Sequence, residues 1–122
     1  MKKKILIVDD SATVVRICSE RLKHEGYEIY SANDGYQGLK RAKEVNPDVI
    51  LLDLQMPAGG GVHMFENLKA SVYTSAIPII FITAFHEKEV KQLIMEMGAD
   101  GFIPKPINFS ELLKMINKLI GE

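Results

Sequence analysis

Three stretches of this chain, Ile5-Leu6-Ile7-Val8, Val49-Ile50-Leu51-Leu52 and Ile79-Ile80-Phe81-Ile82, are apolar at every position. A strand with one wet face alternates apolar and polar residues, so an unbroken apolar run of strand length marks a strand covered on both faces. These three read as central strands. Tyr27-Glu28-Ile29-Tyr30-Ser31 mixes polar and apolar positions and Phe102-Ile103 is very short, which suits the two outer places of an open sheet.

Between the runs the period changes to that of a helix: Val14, Cys18 and Leu22, then Val90, Leu93, Ile94 and Met97, then Phe109, Leu112, Leu113, Ile116 and Ile120. Gly26 and Gly98 stand where helices end, Pro47 closes the second helix, and Asn108 with Glu111 has the form of a capping box. The segments around Leu39 to Val45 and Val62 to Leu68 are less periodic, and their place in the alternation marks them as helices. Five strands alternating with five helices predict right-handed βαβ units, a parallel sheet in the order 2-1-3-4-5, and helices on both faces. In such a doubly wound α/β fold, ligands bind beyond the carboxyl ends of the strands where the order reverses, between strands 1 and 3.

The chain's 122 residues predict one domain, spanning 1–122. A formal net charge of -1 disfavours binding to nucleic acid or to an anionic membrane surface. Lys2-Lys3-Lys4 reads as a solvated strand lead-in. The single cysteine, Cys18, cannot form an intrachain disulfide, and no stretch resembles a signal peptide or a membrane span. The expected location is cytoplasmic.

At the predicted switch point, strand 1 runs into Asp9-Asp10 and strand 3 into Asp53. Capping the first helix would account for Asp10 alone, and a turn role for Asp53 alone. Their convergence demands a proton or a cation, and an all-oxygen donor set favours Mg²⁺, or Mn²⁺, over zinc. Strand 4 delivers Thr83 to the same rim and strand 5 delivers Lys105, whose bond to Pro106 is a candidate for the cis form. Carboxylates, a divalent cation, a hydroxyl and an ammonium compose a phosphoryl-transfer site with Asp53 as the best nucleophile. His24, His63 and His86 share no ligand spacing, and Cys18 lies on an apolar stripe.

These residues resemble those of a response-regulator receiver domain of two-component signalling, the CheY-like (flavodoxin-like) three-layer (βα)5 sandwich whose strand order is a worked example of the switch-point rule. The likeness covers essentially the whole chain: Ile5 to Ser11, Ala32-Asn33-Asp34-Gly35, Pro47 to Asp53, Met56-Pro57 with Gly61, Ile82-Thr83-Ala84, and Gly98 to Pro106. It implies that Asp53 is the phosphoacceptor, taking a phosphoryl group from a histidine kinase or phosphotransfer protein. Asp10, Asp53 and the backbone carbonyl of Gln55 would bind Mg²⁺, and Asp9 would act through a water on the ion. Thr83 and Lys105 would contact the phosphoryl oxygens, with Lys105 paired to Asp53 beforehand, and Phe102 would be the switch aromatic. The product would be a change in the face of helix 4, strand 5 and helix 5 that controls an effector protein or output domain, in a monomer or a phosphorylation-dependent dimer. Such a domain is not an enzyme beyond promoting its own aspartyl phosphorylation and dephosphorylation.

The loop Pro57-Ala58-Gly59-Gly60-Gly61 departs from the family at Gly60, where an acidic or amide residue is more usual, and the run predicts a flexible connection. Gln55 and Phe85 occupy the positions flanking the path of the hydrolytic water, and Phe85 cannot orient water, so a long phosphoryl lifetime is expected. The alternatives are a receiver cut from a longer regulator with a DNA-binding or enzymatic output domain and, more remotely, an Mg²⁺-dependent phosphatase with an Asp nucleophile. That phosphatase chemistry wants an acid two residues after the nucleophile, where Gln55 stands. A flavin-mononucleotide protein of the same strand order would have its phosphate repelled by Asp9-Asp10.

Overall fold

The computed structural model describes residues 2–56, 60–85 and 88–121. Five strands, β1 (Lys4–Val8), β2 (Glu28–Ala32), β3 (Val49–Asp53), β4 (Ile79–Thr83) and β5 (Gly101–Pro104), alternate with α1 (Ala12–His24), α2 (Gly35–Val45), α3 (Gly60–Ala70), α4 (Lys88–Glu96) and α5 (Phe109–Ile120). All pairings are parallel, in the order β2-β1-β3-β4-β5. The doubly wound α/β architecture is the one that the apolar runs predict.

Every residue of β3 and β4 is buried, which explains why those stretches carry no polar residue before their last position. Successive side chains in a strand point to opposite faces, and the core divides accordingly. On one face Leu6, Val8, Ile50, Leu52, Ile79 and Phe81 meet Ala42, Met64, Leu68 and Ile94 of the second, third and fourth helices. On the other, Ile5, Ile7, Leu51, Ile80 and Ile82 meet Cys18 and Leu22 of α1 and Leu112 and Ile116 of α5. Cys18 is therefore a small core residue, and burial, helped by the charge of Asp9, pushes its thiol up to about 11.

The helix ends follow local chemistry. Asp34 caps α2 by accepting from Gln37 N–H at 2.7 Å, and Asn108 caps α5 by accepting from Glu111 N–H at 3.2 Å. Asn46 ends α2 in the left-handed conformation, φ 50°, just before Pro47. One assignment differs from the sequence reading: Leu93 is 60% exposed, and Ile94 alone on α4 is fully buried. Pro57, Ala58 and Gly59, within the connection expected to be flexible, lie outside the described residues, as does His86; Gly60 and Gly61 form the start of α3. Among the described residues no helix is long and apolar enough to cross a membrane.

Candidate functional site

Carrying the strand alternation one residue past the end of β1, to the last residue of β3, and two past Ile103 brings Asp9, Asp53 and Lys105 to the face shared with α1 and α5. The three side chains meet there. Lys105 Nζ stands 2.9 Å from Asp9 Oδ2 and 3.7 Å from Asp53 Oδ1. The lysine thus engages Asp9 more closely than Asp53, a difference from the single Asp53 pairing that the family resemblance implies. Its backbone is fixed as well: Lys105 N–H donates to the Thr83 carbonyl at 2.7 Å, and the following Lys105-Pro106 bond is cis.

Asp10 completes an acidic cluster with Asp9 and Asp53, in which one ligand atom from each lies within 4.8 Å of the others. Asp9 and Asp53 are 1% and 2% exposed, whereas Asp10 is open to solvent. Asp10 does not cap α1; Ser11 does, accepting from Val14 N–H at 3.3 Å, which leaves the Asp10 carboxylate free for the site. The other acids near the strands have structural tasks. Asp48 accepts from Lys4 N–H at 2.7 Å and Asp100 from Ile79 N–H at 2.9 Å, both at the opposite end of the sheet.

Three turns of one kind hold the functional oxygens. Ser11 N–H donates to Asp9 Oδ1 at 2.8 Å, Gln55 N–H to Asp53 Oδ1 at 3.1 Å, and Phe85 N–H to Thr83 Oγ1 at 3.0 Å. Each strand end therefore uses the amide two residues on to orient its own side chain, and the residue type at that second position is irrelevant to the bond. The sequence reading missed this role of Ser11, Gln55 and Phe85, although Asp or Thr followed by a turn is its ordinary signal. Gln55 and Phe85 are both exposed beside the site, Phe102 is half-buried against the Phe81 side of the core, and Thr83 is fully buried.

The electrostatics follow from this packing. Burial pushes the Asp53 carboxyl up to about 6; the Gln55 amide and Lys105 oppose the rise, and the charges of Asp9 and Asp10 add to it. Burial by itself would lower Lys105, yet its hydrogen bond to Asp9 and the negative charges of Asp53, Asp9 and Asp10 outweigh that and hold the ammonium above its usual range. An excess of clustered carboxylate over a single ammonium, with oxygen donors only, fits a hard divalent cation such as Mg²⁺.

Residues 5–117 match the response regulator receiver domain family. The chain belongs to that family. As a receiver domain of two-component signalling it is 33% identical, over 98% of its length, to the alkaline phosphatase synthesis transcriptional regulatory protein PhoP of Bacillus subtilis, covering 49% of that protein. It is 36% identical to the probable transcriptional regulator ycf27 of Porphyridium aerugineum, covering 98% of this chain and 48% of the relative. The receiver thus spans about half the length of these curated relatives. Among solved structures, the chemotaxis protein CheY4 of Vibrio cholerae superposes with a TM-score of 0.90 at 32% identity, covering 98% of this chain and all of the other. A response regulator of Chloroflexus aurantiacus superposes with a TM-score of 0.93 at 26% identity, with both chains fully covered.

Proposed function

We propose that this receiver, as one unit over residues 1–122, takes a phosphoryl group on Asp53 and passes the change to a partner. The observation that carries the reading is the placement of a buried carboxylate 3.7 Å from the Lys105 ammonium, inside a cluster of two further carboxylates. One Asp53 oxygen attacks the phosphorus of a phosphohistidine; the P–O bond forms as the P–N bond breaks, and the imidazole leaves with the electron pair and takes up a proton. The donor is a histidine kinase or a phosphotransfer protein.

Asp10, Asp53 and the Gln55 carbonyl would hold Mg²⁺, with Asp9 behind them, and the ion would neutralise charge on the transferring group. Lys105 supplies fixed positive charge at the same place without a metal. The Thr83 oxygen already accepts from Phe85 N–H, so its own proton is free to donate to a phosphoryl oxygen. The new group brings roughly -1.5 to -2 charge and three acceptor oxygens, which draw Thr83 and Lys105 inward. That displacement biases the packing of Phe102 and the face of α4, β5 and α5, which an effector protein or an output domain reads.

Intact mass after incubation with a small-molecule phosphodonor and Mg²⁺ tests this. The expected result is one added phosphoryl group in the wild type and none in Asp53→Asn or without metal. An adduct of equal yield in Asp53→Asn would overturn the assignment.

A further inference from the structure

The first turn of α3 lies directly on the end of β3. Gly61 N–H donates to the Leu54 carbonyl at 3.1 Å, so the helix starts one hydrogen bond away from the peptide that follows Asp53. A Cβ built on Gly61 would press into the Asp53 carbonyl oxygen, and would stand 3.0 Å from Leu54 Cα and 3.1 Å from the Asp53 carbonyl carbon. All three obstacles are backbone, which cannot swing aside as a side chain does. Gly60, beside it, adopts φ +66° with space for a Cβ only 3.0 Å from the Leu54 carbonyl oxygen.

From this contact we infer that Gly61 is a positioning residue for the site: its missing side chain lets α3 clamp the Asp53-Leu54-Gln55 backbone. Two functional features hang from that short segment. The Gln55 amide orients Asp53 Oδ1, and the Gln55 carbonyl is the backbone ligand proposed above for the cation. A methyl at Gly61 moves the Asp53 peptide, and with it both the carboxylate and the Gln55 turn. Because Gly61 acts through Asp53, its role rests on the reading of Asp53 as phosphoacceptor.

Other tight glycines lack this connection. A Cβ on Gly38 would meet the terminal methyl and the sulfur of Met64 at 2.8 and 2.9 Å, the far end of a flexible side chain, and the Val8 Cγ1 methyl at 3.0 Å, with no backbone in its way. Gly38→Ala is therefore a control that disturbs packing without touching the β3 end.

The experiment compares wild type, Gly61→Ala, Gly60→Ala and Gly38→Ala, each verified as folded by circular dichroism. Mg²⁺ affinity is measured by calorimetry, and phosphorylation by a small-molecule donor is followed at saturating Mg²⁺. Displacements approaching an ångström in a reacting group cost up to about a hundredfold. Gly61→Ala is expected to lose about tenfold or more in Mg²⁺ affinity and in maximal phosphorylation rate, with the donor's half-saturation little changed, while Gly38→Ala keeps wild-type values. Gly61→Ala matching Gly38→Ala in both readouts would overturn the inference. Should Gly61→Ala not fold, Gly60→Ala decides in its place: weakened Mg²⁺ binding supports the clamp and wild-type binding refutes it. A wild type that takes up no phosphoryl group defeats the Asp53 reading instead, and the Mg²⁺ titration then judges Gly61 by itself.

Discussion

A carboxylate at the end of a buried strand is costly to ionise, and Asp53 is such a group at 2% exposure beside two more acids. In the unfolded chain it titrates near 3.8, whereas folding raises it to about 6. Between those values the folded protein holds the proton more tightly, so stability contributed by the neutral form is present at low pH and is lost as pH rises through 6. In metal-free buffer at pH 8, Asp53→Asn is expected to stabilise the protein by about 1 to 3 kcal/mol and to flatten the slope between pH 4 and 6. Urea unfolding at pH 5 and pH 8 checks this; wild type and variant running parallel across the range would contradict it. Phe85 makes a second residue-scale case. Its amide serves Thr83, and the residue, 39% exposed, carries no polar group that can orient a water. Phe85→Glu keeps the amide bond and adds a carboxylate, so the phosphorylated protein should lose its phosphoryl group severalfold faster. An unchanged decay followed by intact mass would show that residue 85 does not set the phosphoryl lifetime. The individual site residues were legible as a set of strand-end acids with a Thr and a Lys. The closer contact of Lys105 with Asp9 was not, because it depends on how β1, β3 and β5 place their alternation side by side.

At the scale of elements, legibility tracks burial. The strands β3 and β4 declare themselves because both faces are covered, while β2, at an edge with its residues half-exposed or exposed, mixes polar and apolar positions. The second and third helices were faint for a physical reason: Gly38, Gly60 and Gly61 are poor helix formers, placed where Met64 and the β3 end come too close for a side chain. Leu93 misled in the other direction, since its spacing from Val90 and Met97 suits a core stripe although the fourth helix turns it outward. Substitution separates the two kinds of leucine. Leu112→Ala on α5, at a fully buried position, should cost about 2 to 5 kcal/mol, whereas Leu93→Ala should cost under about 0.5 kcal/mol. Chemical denaturation of both variants measures this, and equal losses would mean that Leu93 has a packing role.

For the whole molecule, the site is a place where the packing of the sheet leaves clustered negative charge that a bound cation would offset. The strands are arranged by hydrophobic burial on two faces, yet the same arrangement forces Asp9, Asp10 and Asp53 together at one end with a single ammonium among them. Folding alone leaves that repulsion in place. A divalent cation that binds the assembled cluster, and not the unfolded chain in which the acids are 43 or more residues apart across strands 1 and 3, must therefore stabilise the fold by mass action. At a hundredfold excess over its dissociation constant the gain is about 2.7 kcal/mol, which for a domain of this size raises the melting temperature by roughly 5 °C or more. Scanning calorimetry with and without Mg²⁺ should show that rise in the wild type, a reduced one in Asp10→Asn, and none for Leu93→Ala beyond the wild-type shift. Because Asp10 is exposed and caps nothing, its substitution leaves the core intact, so the difference reads metal binding and not folding. An equal Mg²⁺ shift in Asp10→Asn would place the cation elsewhere and detach the acidic cluster from the proposed chemistry.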